Sequence, residues 1–234
     1  MPEHWLIWAI VLLAVLFDYI NGFHDTANAI ATSVSTRAIT PRHAIMAACL
    51  NFAGAMISTG VAKTIGGDLV LNPAEISLEV IVAALIGSII WNVLTWYYRI
   101  PSSSSHSLIG GVIGAVCISV GPAALDMGGI GKIILSLILS PVVALATGYF
   151  VMIGILWIVR KYSPLALNRQ FRKMQLLSAS LMAFSHGSND AQKAMGIIAL
   201  ALLSGGYIET MEIPIWVKMA CATSMALGTS AGGW

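Results

Sequence analysis

Two stretches of polar and ionisable residues lie inside otherwise apolar segments of this chain, and a charge in such surroundings must find a partner. The first is Asn21-Gly22-Phe23-His24-Asp25-Thr26-Ala27-Asn28-Ala29; the second is His186-Gly187-Ser188-Asn189-Asp190-Ala191-Gln192-Lys193-Ala194. Aligned on Gly22 and Gly187, they set Asp25 opposite Asp190 and Asn28 opposite Lys193. The chain therefore reads as internally duplicated, with one carboxylate in each copy.

The surroundings of these motifs are those of a multi-pass protein of the cell membrane. Hydrophobic residues make up 58% of the chain and charged ones only 9%, with a mean hydropathy of +0.86, against roughly 25% charged in a soluble domain. The apolar run from Trp5 to Phe17 continues through Tyr19-Ile20 into the first motif and meets no small-residue cleavage site, so the first segment is expected to stay in the bilayer. Arg160, Lys161, Arg169, Arg172 and Lys173 cluster between two apolar spans, which places residues 160–175 in a basic cytoplasmic loop. Cys49, Cys117 and Cys221 have no metal-ligand spacing and read as small buried hydrophobes. Trp5, Trp8, Trp91, Trp96, Tyr97, Tyr98 and Trp157 suit interfacial belts rather than base stacking, and nothing points to a nucleic acid.

Apolar windows near the ~20 residues that a helix needs to cross hydrocarbon fall at about 5–20, 43–62, 78–98, 130–159 and 176–203, with a last segment from Ile215. The first motif and its mildly apolar tail, 29–35, are too short to cross alone and are expected to form a broken or re-entrant element. Residues 63–74, with Gly66-Gly67-Asp68 and Pro73, read as loop. Pro141 and Gly148 make the 130–159 stretch either one kinked helix or two pieces. Pro101-Ser102-Ser103-Ser104-Ser105-His106-Ser107 feeds a short helix expected to begin near Leu108. Irregular backbone at such a place is tolerated only when buried in protein or lining a cavity.

The expected architecture is all-α and polytopic, with broken or re-entrant helices: a first repeat and linking spans over 1–159, the basic loop 160–175, and the start of a second repeat over 176–234. The segment from Pro41 resembles that from Pro214, 173 residues later, whereas the polar motifs are 165 apart. A second serine loop would then fall roughly 30 to 40 residues beyond Trp234, so the second repeat is expected to be incomplete.

At helical spacing Asp18, Asn21, Asp25 and Asn28 share one stripe, and His186, Asn189, Asp190 and Lys193 share another. A carboxylate at the bilayer centre costs on the order of 3 kcal/mol on insertion scales. A purely structural answer pairs Asp25 with Lys193 and leaves the amides and hydroxyls as interhelical glue. It does not account for the duplication or for the serine-rich break. Ser103, Ser104 and Ser105 at a helix start, with the helix dipole behind them, suit a small oxyanion. Asp25 and Asp190, with Asn28 and Asn189 as neutral oxygen donors, suit Na+, and protonation is the other way to neutralise them. Bound together, cation and anion form the basis of symport. His24, His106 and His186 read either as proton relays or as fixed hydrogen-bonding groups. No G-x-S-x-G elbow or H-E-x-x-H pattern supports a membrane hydrolase, and no enzymatic cofactor is implied.

Asn21 to Ala29, Pro101 to His106, and Ser185 to Lys193 closely resemble three motifs of the inorganic phosphate transporter (PiT) family, in the same order. The resemblance implies two inverted repeats, phosphate held near the midplane, coupling to Na+ or H+, and dimers in the membrane. Carried over position by position, it implies that Asp25 and Asn28 serve the ions and phosphate in the first repeat. Ser103, Ser104 and Ser105 meet phosphate, and Asn189 and Asp190 form the second ion site. Thr26 and Ser188 are further candidates for phosphate, Lys193 is a supporting cation, and Asp25 and Asp190 are the expected Na+ ligands. The alternatives are a permease for another oxyanion such as sulfate, and a non-transporting phosphate-binding fragment.

Overall fold

In the computed structural model most of the described residues are helical; the structure describes residues 4–35, 43–67, 69–73 and 76–232, with side chains except at 26–35, 43–44, 66–67, 164 and 166. The candidates Thr26 and Asn28 thus lie outside the described side chains. The helices are α1 (His4–Ser35), α2 (His43–Ile57), α3 (Gly60–Gly67), α4 (Leu78–Tyr97), α5 (Ser104–Ser119), α6 (Met127–Val159), α7 (Pro164–Ser204) and α8 (Ile215–Ala231), with a short 3-10 turn at Pro122–Ala124. Three of them, over His4–Asp25, Leu78–Tyr97 and Met127–Val159, are long and apolar enough to span a bilayer.

α7 is the axis of the packing. Its stretch from Ala191 to Leu200 is buried throughout, and it packs against α1, α2, α3, α4 and α8. The two copies of the duplicated sequence interlock, for α1 packs along α8 as α7 packs along α2. A Cβ on Gly54 would meet the Phe184 carbonyl and the Ser188 amide, and one on Gly228 would meet the Tyr19 carbonyl and the Phe23 amide. Phe184 and Ser188 each stand 165 positions beyond Tyr19 and Phe23, and Gly228 stands 174 beyond Gly54. The contacts of one copy thus repeat in the other, with the partner helix in register at 174 rather than the 173 suggested by the Pro41 and Pro214 segments.

Several boundaries differ from the sequence reading, each for a local reason. α1 runs unbroken through the first motif to Ser35, because no proline interrupts 4–35. The break falls instead inside the span expected over 43–62, where α2 stops at Ile57 and α3 starts at Gly60. Ser58 and Thr59 are weak helix formers, and the side chain of Gln192 stands in for the missing turn. Its Oε1 accepts from the Val61 and Ala62 amides at 2.8 and 3.3 Å, while its Nε2 donates to the Ser188 carbonyl. Gln192 is 1% exposed, so Gln192→Leu should strand both amides and lower stability by on the order of 2 kcal/mol. Chemical denaturation of the detergent-solubilised protein measures the change.

The loop expected from Lys63 is helical as far as Gly67. The basic segment expected as loop is likewise helical from Pro164, because proline at the first turn followed by Leu, Arg, Gln, Lys and Met favours a helix over 164–175. Pro141 is carried inside one continuous α6 of 33 residues, about 50 Å long at 1.5 Å per residue, which must tilt in a bilayer. Beyond Gly129 and Ile130 at its start, no residue of α6 is buried by the other described residues, so most of its apolar surface is open. Cys221 is buried and Cys117 half-buried, but Cys49 is exposed, since it lies on a face of α2 that no described helix covers.

α4 and α5 form the hairpin that carries the serine motif. Ser88 donates to the Ser107 carbonyl at 3.0 Å and Ser107 to the Ser88 carbonyl at 3.2 Å, a reciprocal pair inside the hairpin. α4 ends in a Schellman-type cap, in which the Ile100 amide donates to the Thr95 carbonyl at 2.8 Å and the Arg99 amide to that of Trp96 at 3.0 Å. Glycine is usual at the left-handed position of such a cap, yet here it is Arg99 at φ 57, at a cost of about 1 kcal/mol. α5 begins at Ser104, a turn before Leu108, because Ser103 caps it by accepting from the His106 amide at 3.5 Å.

Candidate functional site

Three helices bring the two polar motifs and the serine loop to one place. On α7, Asp190 Oδ2 lies 2.8 Å from Lys193 Nζ and 3.5 Å from His186 Nε2. From α1, Asn21 Nδ2 donates to the same oxygen at 3.3 Å, and Asp25 Oδ2 lies 4.0 Å from His186 Nε2. From α5, Ser104 Oγ accepts from Lys193 Nζ at 2.9 Å. Helical spacing on α7 places His186, Asp190 and Lys193 on one face, and burial of Lys193, 5% exposed at its side chain, makes the charge-assisted bonds to Asp190 and Ser104 necessary.

Lys193 therefore pairs with Asp190 and Ser104, not with Asp25 as a purely structural reading of the sequence has it. The reason is geometric: three residues along α7 put the ammonium over its own helix's carboxylate. One ligand atom each from Asp25, His186 and Asp190 lies within 4.8 Å of the others, a spacing that one cation could bridge. Deeper along the α1 stripe, Asp18 is fully buried, and neither of its carboxylate oxygens has a hydrogen-bond partner among the described residues. Asn21 Oδ1 is a third buried oxygen in the same condition. Asp25 and Asp190 bring two carboxyl groups to the cluster and Lys193 one amine, so acidic groups outnumber basic side chains of lysine type there, before Asp18 is counted.

The supporting residues are polar too. His186 Nδ1 meets Asn51 Oδ1 on α2 at 3.2 Å, and Asn51 Nδ2 donates to Thr229 Oγ1 on α8 at 2.6 Å. One asparagine thus ties the histidine ring to both partner helices and sets its orientation. Asn51 lies outside every motif, and Gln192, inside the second, carries no charge to mark it; both have structural weight because of which helix they meet.

Of the residues expected from the sequence, Asp25, His186, Asp190, Lys193 and Ser104 converge. Ser103 and Ser105 are half-buried beside Ser104, with Ser103 occupied as the cap of α5. Ser188 is half-buried, one turn before Gln192. Asn189 is exposed and donates to the Ser185 carbonyl of its own helix at 2.9 Å, so it points away from the carboxylates. His106 is exposed on the first turn of α5 and makes no contact with the cluster among the described interactions. His24 lies tilted against Trp96, with ring centroids 6.3 Å apart, and Trp96 also meets Phe23 edge-on at 5.7 Å.

Trp96 and His24 belong to a cleft of about 930 Å³ lined also by Asp25, Arg99 and Ser102. Asp25 is common to the cleft and to the cluster, so the open space leads to the carboxylates.

Residues 21–234 match the profile of the phosphate transporter family (PHO4). The chain is 55% identical over 230 residues to a probable low-affinity inorganic phosphate transporter of Bacillus subtilis (strain 168), covering 96% of this chain and 68% of the relative. It is 34% identical to the low-affinity inorganic phosphate transporter PitA of Escherichia coli (strain K12), covering 88% of this chain and 48% of that one. The chain thus spans from about half to about two thirds of the length of these relatives. Its fold is similar to that of a solved structure described as the sodium-dependent phosphate transporter, with a TM-score of 0.79 at 23% identity, covering 97% of this chain and 76% of the other.

Proposed function

The chain belongs to the phosphate transporter family, and from that premise we propose that it carries inorganic phosphate across the cell membrane by symport with a monovalent cation, Na+ or H+. The observation that supports this reading most is the joining of Asp190 to Ser104 through Lys193, because it puts a cation-binding carboxylate and an anion-binding helix start on one ammonium group.

The physics of the cluster favours coupled binding. Asp25 and Asp190 repel an approaching phosphate, and Lys193 offsets only one of them. One added cation between the two carboxylates cancels the remaining charge, and Asp25, Asp190 and His186 provide oxygen and nitrogen donors for it. The oxygens of Asp18 and Asn21 that take no hydrogen bond among the described residues offer further places for a proton or a hard cation. With the cluster neutralised, the hydroxyls of Ser103, Ser104 and Ser105 and the free amides at the start of α5 can hold the oxyanion. The cation thereby raises the affinity for phosphate, and phosphate that of the cation, by the same factor.

The reading extends to inverted repeats that exchange access around this site, to a cytoplasmic position for the basic start of α7, and to a homodimer in the bilayer. Full-length protein in liposomes should accumulate radiolabelled phosphate when a Na+ or a proton gradient is imposed, and separate gradients identify the ion. Arsenate should compete better than sulfate, because the site takes a protonatable tetrahedral anion. Equal competition by sulfate favours a general oxyanion permease, and binding without accumulation favours a phosphate-binding subunit.

A further inference from the structure

The cleft beside the cluster carries a charge that the motifs do not announce. Arg99 lines it together with His24, Asp25, Trp96 and Ser102. Arg99 is exposed, and no ion pair engages it among the described residues. A guanidinium is charged at any working pH and matches the oxygens of a phosphate in pairs. Asp25, which lines the same space, is half-buried and lies 4.0 Å from His186, so the cleft joins an exposed cation to the carboxylate cluster.

The backbone at Arg99 points the same way. It holds the left-handed position of the α4 cap, where glycine is favoured, at φ 57. Glycine there would complete the cap without strain, so the side chain is what the position offers. An anion heading for a site walled by Asp25 and Asp190 meets repulsion before any cation is shared, and a fixed positive charge at the mouth offsets that repulsion and raises the rate of encounter.

We propose that this cleft is the access vestibule for phosphate and that Arg99 captures the oxyanion there before it passes to Ser104 and Lys193. The inference rests on the transport reading above. Arg99 acts on encounter and first binding; the coupled step beyond it belongs to the carboxylates.

Initial rates of radiolabelled phosphate uptake by the full-length protein in liposomes test this, measured against phosphate concentration and ionic strength for the parent, Arg99→Lys, Arg99→Gln and Arg99→Gly. Loss of one partly exposed charge-assisted contact should raise KM for phosphate about five- to tenfold in the Gln and Gly variants. The maximal rate should change less than about twofold, since the contact is made in the ground state. KM of the parent should rise with salt, that rise should flatten in both variants, and Arg99→Lys should fall between. Arg99→Gly suits this backbone, which prefers glycine, so a loss of uptake in it cannot be blamed on unfolding. An unchanged KM in Gln and Gly overturns the proposal, as does a fall in maximal rate with KM intact. A parent protein that takes up no phosphate overturns the transport reading itself, and this inference with it.

Discussion

Phosphate uptake by the Asp25→Asn and Asp190→Asn double variant should fall by at least about 100-fold, to the background of empty liposomes. Each substitution keeps the shape of the side chain and removes one charge of the pair that a cation would share. Losing a charged ligand from such a site is worth roughly 3 kcal/mol, or two orders of magnitude in binding. The single variants separate two effects. Asp190 is bonded to Lys193 at 2.8 Å, so Asp190→Asn leaves a buried ammonium without its anion, and about 3 kcal/mol or more of folding stability goes with it. Asp25→Asn leaves the 2.8 Å pair of Asp190 and Lys193 in place, so it should cost less stability than Asp190→Asn and still fail to accumulate phosphate. Size-exclusion profiles of the two variants tell misfolding from lost coupling. Uptake by the double variant above about a tenth of the parent rate would remove the carboxylates from the mechanism.

Gly187→Val should leave little folded protein. A Cβ at Gly187 would collide with the backbone carbonyl of Asn51 on α2. Backbone cannot swing aside as a side chain can, so α7 and α2 would have to separate. That separation also breaks the 3.2 Å contact of His186 with Asn51 and takes Asn51 from Thr229. Overpacking a tight site costs about 1–3 kcal/mol, and the lost buried polar contacts add to it. Gly148→Val is the control, because a Cβ at Gly148 on α6 meets nothing within 4 Å. A thermal unfolding scan in detergent that shows the Gly187 variant melting with the control would contradict the packing described for α2 and α7.

Much of the site could be read from residue order alone. Charged and amide side chains at helical spacing in apolar segments have few physical options, so Asp25, His186, Asp190 and Lys193 were marked by being in the wrong solvent. The alignment on Gly22 and Gly187 also held a structural message. Both glycines are places where the motif helix touches the backbone of the helix beside it, at Met225 for Gly22 and at Asn51 for Gly187. Helix ends were less legible. The discontinuity expected in α1 occurs between α2 and α3, because a carboxamide from a distant helix, that of Gln192, takes up the amides that no local residue could.

By itself the sequence determined the solvent of this protein, its helical class, its duplication and the groups that cannot sit in lipid unpaired. These follow from short-range periodicity and from the cost of burying charge, both properties of residues close along the chain. Only the tertiary structure decided which partner each group takes: Lys193 with Asp190 and Ser104 rather than Asp25, Asn51 across to His186 and Thr229, and Arg99 into the cleft of Asp25. Those pairings join residues as many as 178 positions apart. They are set by how helices cross, and a hydrogen bond that acts over about 3 Å leaves no trace in the local pattern of either strand of sequence it connects.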